Sequence, residues 1–319
     1  MGFEQMLLLA LLAGGCGALM GCTQQFIAYG MAGLIGLAMQ ACGADTALFD
    51  DVVLNCFLLP CVSSTGAMVG AAVAGKRSSF PGEEMNRSLG LVKDAWPLIA
   101  GSVGGALGYV LICAFNDLGL TIDTGALSFM TMCLITRALL GTGPGGGRSN
   151  LDLRIDPMTG VVLSVRLREG AGVSGGAIVR QGFHPMPAAA FACDMGHVRA
   201  LAHDGGALAL HAATAVLVAG SSALVCDWTG IQNVAFYVTA VLLTFALISD
   251  GFIACHHTAL VAGYAVIATG SVDLAVALGV AAHFTGLFFA EGFNVRRGTH
   301  IDPPAVAIAI FSALIFTLA

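Results

Sequence analysis

Residues 63–72 read Ser63-Ser64-Thr65-Gly66-Ala67-Met68-Val69-Gly70-Ala71-Ala72, and residues 256–265 read His256-His257-Thr258-Ala259-Leu260-Val261-Ala262-Gly263-Tyr264-Ala265. In both, two polar residues precede a threonine, and a small residue and then a glycine follow it. The likeness continues downstream in the same order. Phe115-Asn116 matches Phe293-Asn294, and Thr121-Ile122-Asp123-Thr124-Gly125-Ala126 matches His300-Ile301-Asp302-Pro303-Pro304-Ala305. Ordered matches of this kind point to an internal duplication. The loop at 75–95 is longer than its counterpart near 270, which accounts for the uneven spacing of the matches.

Working outward, the composition sets the environment of the two copies. The 319 residues are 57% hydrophobic and only 10% charged, with a mean hydropathy of +0.87. A domain in water needs far more charge to cover its surface, so an all-α polytopic membrane protein is expected. The 43 glycines fit, because small residues let membrane helices approach closely. At about 20 apolar residues per crossing, candidate spans fall at 5–22, 25–41, 52–74, 96–115, 124–141, 206–225, 231–249, 252–270, 274–290 and 303–319. Pro60 would split the third or make it re-entrant.

The 13 basic residues all lie in three stretches, Lys76 to Lys93, Arg137 to Arg199, and Arg296–Arg297. Positive residues cluster on the cytoplasmic side, so these stretches predict an inner-membrane protein with its N-terminus outside. Each copy holds an odd number of spans, so the second enters the bilayer upside down. The charges agree: the loop at Asn116–Asp123 is acidic, whereas its counterpart carries Arg296 and Arg297. The predicted organisation is a first membrane repeat at 1–141, a cytoplasmic connector at 142–204 and an inverted second repeat at 205–319. In the connector, Leu151 to Ile155 and Val161 to Leu167 alternate in polarity around a turn, a β-hairpin signature, and Gly176 to Val179 would add a third short strand. The first 20 residues lack a basic leader, so Met6 to Gly21 reads as a retained span. The ten cysteines, with no C-x-x-C pair, read as small buried hydrophobes.

Function classes narrow by exclusion. A net charge of −6 argues against nucleic acid as a partner. The glycine run at Gly143–Gly147 lacks the Lys-Ser/Thr of a phosphate loop, and H-E-x-x-H and Gly-x-Ser-x-Gly do not occur. No cofactor is expected. Ionisable groups within spans are expensive and so are candidates for function: Asp250, His256, His257, His283, Glu291, His300 and Asp302. Adjacent helical side chains diverge by about 100°, so at most one of His256 and His257 is expected to face a cavity with Thr258. The alternative is that these imidazoles merely hydrogen-bond to neighbouring backbone or hydroxyls near the cytoplasmic end, the reading favoured for His283, which stands alone in its span. Asp302-Pro303-Pro304 is a helix start, and Asp123-Thr124-Gly125 would be another from the opposite side. Capped ends suit a cation, a proton or a neutral solute better than an anion. His256, His257, His300, Asp302 and Glu291 could also hold a divalent metal, with no spacing to fix its identity.

The stretch Gly298-Thr299-His300-Ile301-Asp302-Pro303-Pro304-Ala305, with His257–Ala259, resembles a group of bacterial multipass membrane proteins and supplies no activity. The Pro-Pro run also resembles the HPP family of small membrane proteins, some of which are associated with anion transport. There histidine directly precedes the prolines, whereas here Ile301 and Asp302 intervene.

Inverted repeats are a common architecture of secondary transporters. The expectation is therefore a permease for a small solute or ion, with proton coupling as an addition. Its pathway would run past Ser63, Ser64, Thr65, His256, His257 and Thr258, with Asp123 and Asp302 at opposing gates and His300 and Glu291 nearby. A channel, a membrane-embedded metal-dependent enzyme and a membrane subunit of a larger complex are the alternatives. The expected partners are the bilayer, the transported solute and, as an open option, further copies of the chain.

Overall fold

The structure, a computed structural model, describes residues 2–78, 80–141, 151–155, 162–167, 191–248, 252–294 and 297–318. The first part of the chain forms α1 (Phe3–Met20), α2 (Cys22–Ala41), a short α3 (Ala47–Phe49) that continues as a π-helical stretch Asp50–Phe57, α4 (Pro60–Arg77), α5 (Trp96–Asp117) and α6 (Thr124–Leu140). Strands β1 (Leu151–Ile155) and β2 (Val162–Leu167) pair antiparallel. Then come α7 (Met195–His203), α8 (Gly205–Thr229), α9 (Val234–Leu242), α10 (Thr244–Ile248), α11 (His256–Thr269), α12 (Val272–Phe293) and α13 (Pro303–Leu318). The proposed third strand at 176–179, the hairpin turn, the glycine run and Asp250 lie outside the described residues.

Five segments are long and apolar enough to cross a membrane: Phe3–Met20, Ala47–Arg77, Trp96–Asp117, Gly205–Thr229 and Val272–Phe293. The expectation of ten spans is not met: 25–41, 124–141, 231–249, 252–270 and 303–319 yield no helix that meets this measure of length and apolarity among the described residues. Thr124–Leu140, Val234–Ile248 and Pro303–Leu318 are shorter apolar helices, and the 252–270 span yields a helix only from His256 onward. The reasons are local. Proline lacks an N–H and forces its predecessor out of the helical region. Leu59 accordingly sits at φ −55, ψ 125, and α4 begins at Pro60. Asp123 and Asp302 cap their helices instead of extending them, accepting from the N–H groups of Ala126 at 2.8 Å and Ala305 at 2.7 Å. Large apolar side chains remain exposed on the outer helix faces, among them Leu8, Leu12, Ile99, Leu217 and Trp228. Such surface is a liability in water and at home in lipid, so the apolar helices suit a membrane-embedded protein.

The packing of the first helices recurs in the later ones. α1 lies on α4 and α5, α4 on α5 and α6, α5 on α6, and α2 on α4. In the same arrangement α8 lies on α11 and α12, α11 on α12 and α13, α12 on α13, and α9 on α11. The two sets meet where α2 crosses α9 and α6 lies beside α13. α6 and α13 run antiparallel. The Asp123 N–H at the head of α6 donates to Ser312 Oγ in the middle of α13 at 2.9 Å, while the Cys133 thiol in the middle of α6 sits against the Asp302 backbone at the head of α13. The two helices therefore overlap along their N-terminal halves and part beyond them.

Candidate functional site

The helix starts that break the spans converge. A cavity of about 140 Å³ lies between the two sets and is lined by the first turns of four helices: Pro60, Cys61 and Ser64 of α4, Asp123, Gly125 and Ala126 at α6, His256 and Leu260 of α11, and Asp302, Pro304 and Ala305 at α13. The start of α2 adds Cys22, Thr23, Phe26 and Tyr29, and α9 adds Phe236. One side is closed by the loop between α4 and α5, whose Met85 reaches the cavity. That loop is pinned there: the Met85 carbonyl accepts from the Cys22 N–H at 2.8 Å, and Asn86 Oδ1 accepts from the Thr23 N–H at 2.9 Å and its hydroxyl at 2.6 Å. Gly21, at φ 96, makes the turn that brings α2 to this loop, and a Cβ there would overlap the Asn86 carbonyl.

Two carboxylates and no lysine or arginine line the space. Asp123 uses one oxygen as helix cap and the other, Oδ2, to accept from the Tyr264 hydroxyl at 2.7 Å. His256 is held between aromatic rings, with centroids 4.6 Å from Phe26 and 6.2 Å from Phe236, and its Nδ1 makes no hydrogen bond. The starts of α4 and α11 carry no side-chain cap, so they add partial positive charge opposite the carboxylates.

Of the sequence-predicted residues, Ser64, His256, Asp123 and Asp302 line the cavity. The others do not. Ser63 turns its hydroxyl back to the Leu58 and Leu59 carbonyls, both at 3.2 Å, and Thr65 donates to the Cys61 carbonyl at 2.7 Å. His257 and Thr258 face away, toward α12. His300 is buried behind Asp302, with Nε2 3.9 Å from Oδ1 of that residue, and Glu291 lies 4.0 Å from His197 Nδ1. Asp123 and Asp302, expected at opposing gates, line one cavity, which they reach from oppositely directed helices. Among the described residues, no group of three or more His, Cys, Asp or Glu is placed to hold a metal.

Sequence reading missed two features. Arg137 is wholly buried, donating to the Phe293 carbonyl at 2.9 Å and the Thr299 carbonyl at 2.8 Å, and so it anchors the segment that ends in Asp302. His283 is not solitary. Its Nε2 lies 3.0 Å from His211 Nδ1, its Nδ1 lies 3.2 Å from the Thr258 hydroxyl, and its ring stacks on His257. The ten cysteines are all free thiols. Searches of family models, curated proteins and solved structures find no match to this chain.

Proposed function

We propose that the protein is a secondary transporter or permease for a small solute or ion, embedded in the inner membrane as a five-plus-five inverted repeat. One observation carries the reading. Four helix starts, two from each set, meet around a small cavity beside two half-buried carboxylates. Broken helices whose ends face a central site are how many carriers bind cargo at the bilayer midplane. The repeated packing and the antiparallel pair α6–α13 support an inverted relation between the sets. The basic stretches favour the N-terminus outside and the 142–204 connector in the cytoplasm, which places the α4–α5 loop on the cytoplasmic face as the cover of the site.

The lining chemistry narrows the cargo. With Asp123 and Asp302 present and no cationic side chain, a cation or a neutral solute is favoured over an anion. Aromatic rings at Phe26, Tyr29 and Phe236 suit a cation with apolar surface. The resemblance to the HPP family would instead suggest anions, and the two aspartates weigh against that cargo.

The test is uptake into proteoliposomes of a panel of radiolabelled small cations, amines and neutral solutes, with parallel anions. Uptake of at least one cation or neutral solute, lost in Asp302→Asn, supports the reading. Identical uptake by wild type, Asp302→Asn and Asp123→Asn across the panel would sink it.

A further inference from the structure

We propose that four histidines, His256, His257, His283 and His211, form a proton relay between the central cavity and the end of the molecule covered by α7. The inference deepens the transport reading by naming the coupling path. It starts from side chains that the cavity itself does not explain.

His256 lines the cavity, and the His257 ring follows at a centroid distance of 5.7 Å and an angle of 83°. His257 stacks on His283 at 5.6 Å and 10°. His283 then meets His211 across a 3.0 Å nitrogen–nitrogen contact. His211 is partly exposed near the start of α8, beside α7. A line of imidazoles thus leads from a buried cavity to a less buried edge of the fold.

The bonding pattern suits proton movement better than helix fastening. His283 can donate through Nε2 to His211 and accept at Nδ1 from Thr258, or exchange those roles in its other tautomer. His257 is fully buried, yet neither ring nitrogen makes a hydrogen bond. Buried polar atoms are nearly always paired, so an unpaired imidazole in a line of others calls for an explanation. The His257 ring lies between those of His256 and His283 and is stacked on the latter.

A proton from the cavity adds to one His256 ring nitrogen, and the other releases one toward His257. Reorientation of His257 delivers a proton to His283 Nδ1 as the Thr258 hydroxyl turns aside, and His283 gives up its Nε2 proton to His211 Nδ1. Charge is conserved at each hop, since each ring gains one proton as it loses another. The titratable groups facing this line are the histidines themselves, from α8, α11 and α12, with Tyr264 further along α11. Asp123 and Asp302 meet it only at the cavity end, and at the far end His197 of α7 lies by Glu291.

The other set of helices has no such line. By the sequence correspondence, Ser63 and Ser64 stand in the places of His256 and His257, and Gly105 in that of His283. Gly105 packs directly against Gly14 there, as His283 meets His211 here.

The experiment uses the full chain in liposomes loaded with a pH-sensitive dye, with a potassium diffusion potential as driving force and no added solute. Wild type is expected to acidify the lumen faster than protein-free liposomes. His283→Gln keeps hydrogen-bonding capacity but cannot relay, so its rate should fall to the protein-free value while the protein stays monodisperse. His211→Gln should do the same. Wild-type flux no faster than protein-free liposomes, or His283→Gln flux equal to wild type, overturns the relay. Solute uptake that persists alongside either result would leave the transport reading standing. A His283-dependent proton flux with no uptake of any solute would keep the relay and remove that reading.

Discussion

Where α1, α4 and α5 meet, glycines let backbone touch backbone; where α8, α11 and α12 meet, imidazoles fill the space. In the first junction a Cβ on Gly17 would overlap the Ser63 carbonyl, and one on Gly66 would overlap the backbone of Gly14. In the second, Gly220 has open space around it, with its nearest neighbour, a Val276 methyl, at 4.0 Å. The two junctions occupy equivalent places in the packing, yet the first is close contact throughout, while the second combines one close contact, Gly279 against Ala219 and Thr258, with a line of imidazoles. A scaffold in one set can thus hold its shape while the other changes protonation.

The largest expected effect breaks the rigid junction. Gly66→Leu has no room against Gly14, and over-packing a tight helix contact costs about 3 kcal/mol or more. The expected outcome is loss of monodisperse protein on size exclusion, whereas Gly220→Ala in α8 stays folded and gains up to about 1 kcal/mol in helix propensity. Equal tolerance at the two sites would contradict the contrast.

Next comes the link between the sets. Arg137→Met strips hydrogen bonds from the Phe293 and Thr299 carbonyls and is expected to cost roughly 3 kcal/mol. Thermal unfolding in detergent would show it, and an unchanged midpoint would mean that the Asp302 segment is held by other contacts.

The paired caps sharpen the comparison further. Removing a capping aspartate costs about 1 kcal/mol, so Asp302→Ala should be mildly destabilising. Asp123→Ala should cost roughly 1 kcal/mol more, because it also abandons the Tyr264 hydroxyl. Tyr264→Phe with Asp123→Ala in a double-mutant cycle measures that surplus, and additive effects would exclude the coupling.

The smallest effect concerns the α4–α5 loop, which has no counterpart in the tight Gly270–Ser271 turn between α11 and α12. Burial pushes the Glu84 carboxyl up to about 7 from 4.5, against the opposing pull of Arg87. The folded state therefore binds the proton more tightly than the unfolded one. Its contribution is fully present below pH 4.5 and is lost as pH rises through about 7. Glu84→Gln should match wild type at pH 4 and melt at a higher temperature at pH 8. Parallel melting curves at both values would show that the loop opens to water before the fold does.

Much of this was legible in local sequence. Asp123-Thr124 and Asp302-Pro303 announce helix starts because capping chemistry is local, and Pro60 breaks its span for the same reason. Divergence of adjacent helical side chains allowed at most one of His256 and His257 on a cavity, but the companion expected there, Thr258, turns toward α12 instead. What depends on three helices meeting was not legible. His283 looks solitary along the chain, since His211 and Thr258 come from other elements. Arg137 and Arg297 read as topology markers, yet both are wholly buried. A positive charge in a linear sequence does not show whether carbonyls await it. Span length misled as well, because apolar stretches continue through breaks that the caps and prolines impose.

The short overlap of α6 and α13 has an electrical consequence. Counted by helical rise, the stretch from Asp123 to Cys133 is about 15 Å long, while the hydrocarbon layer is about 30 Å thick. Because both carboxylates border one cavity, a monovalent cation held between them would cross only part of the field to reach it: at half-depth, 100 mV would change its occupancy by about 1 kcal/mol, half of the full-crossing value.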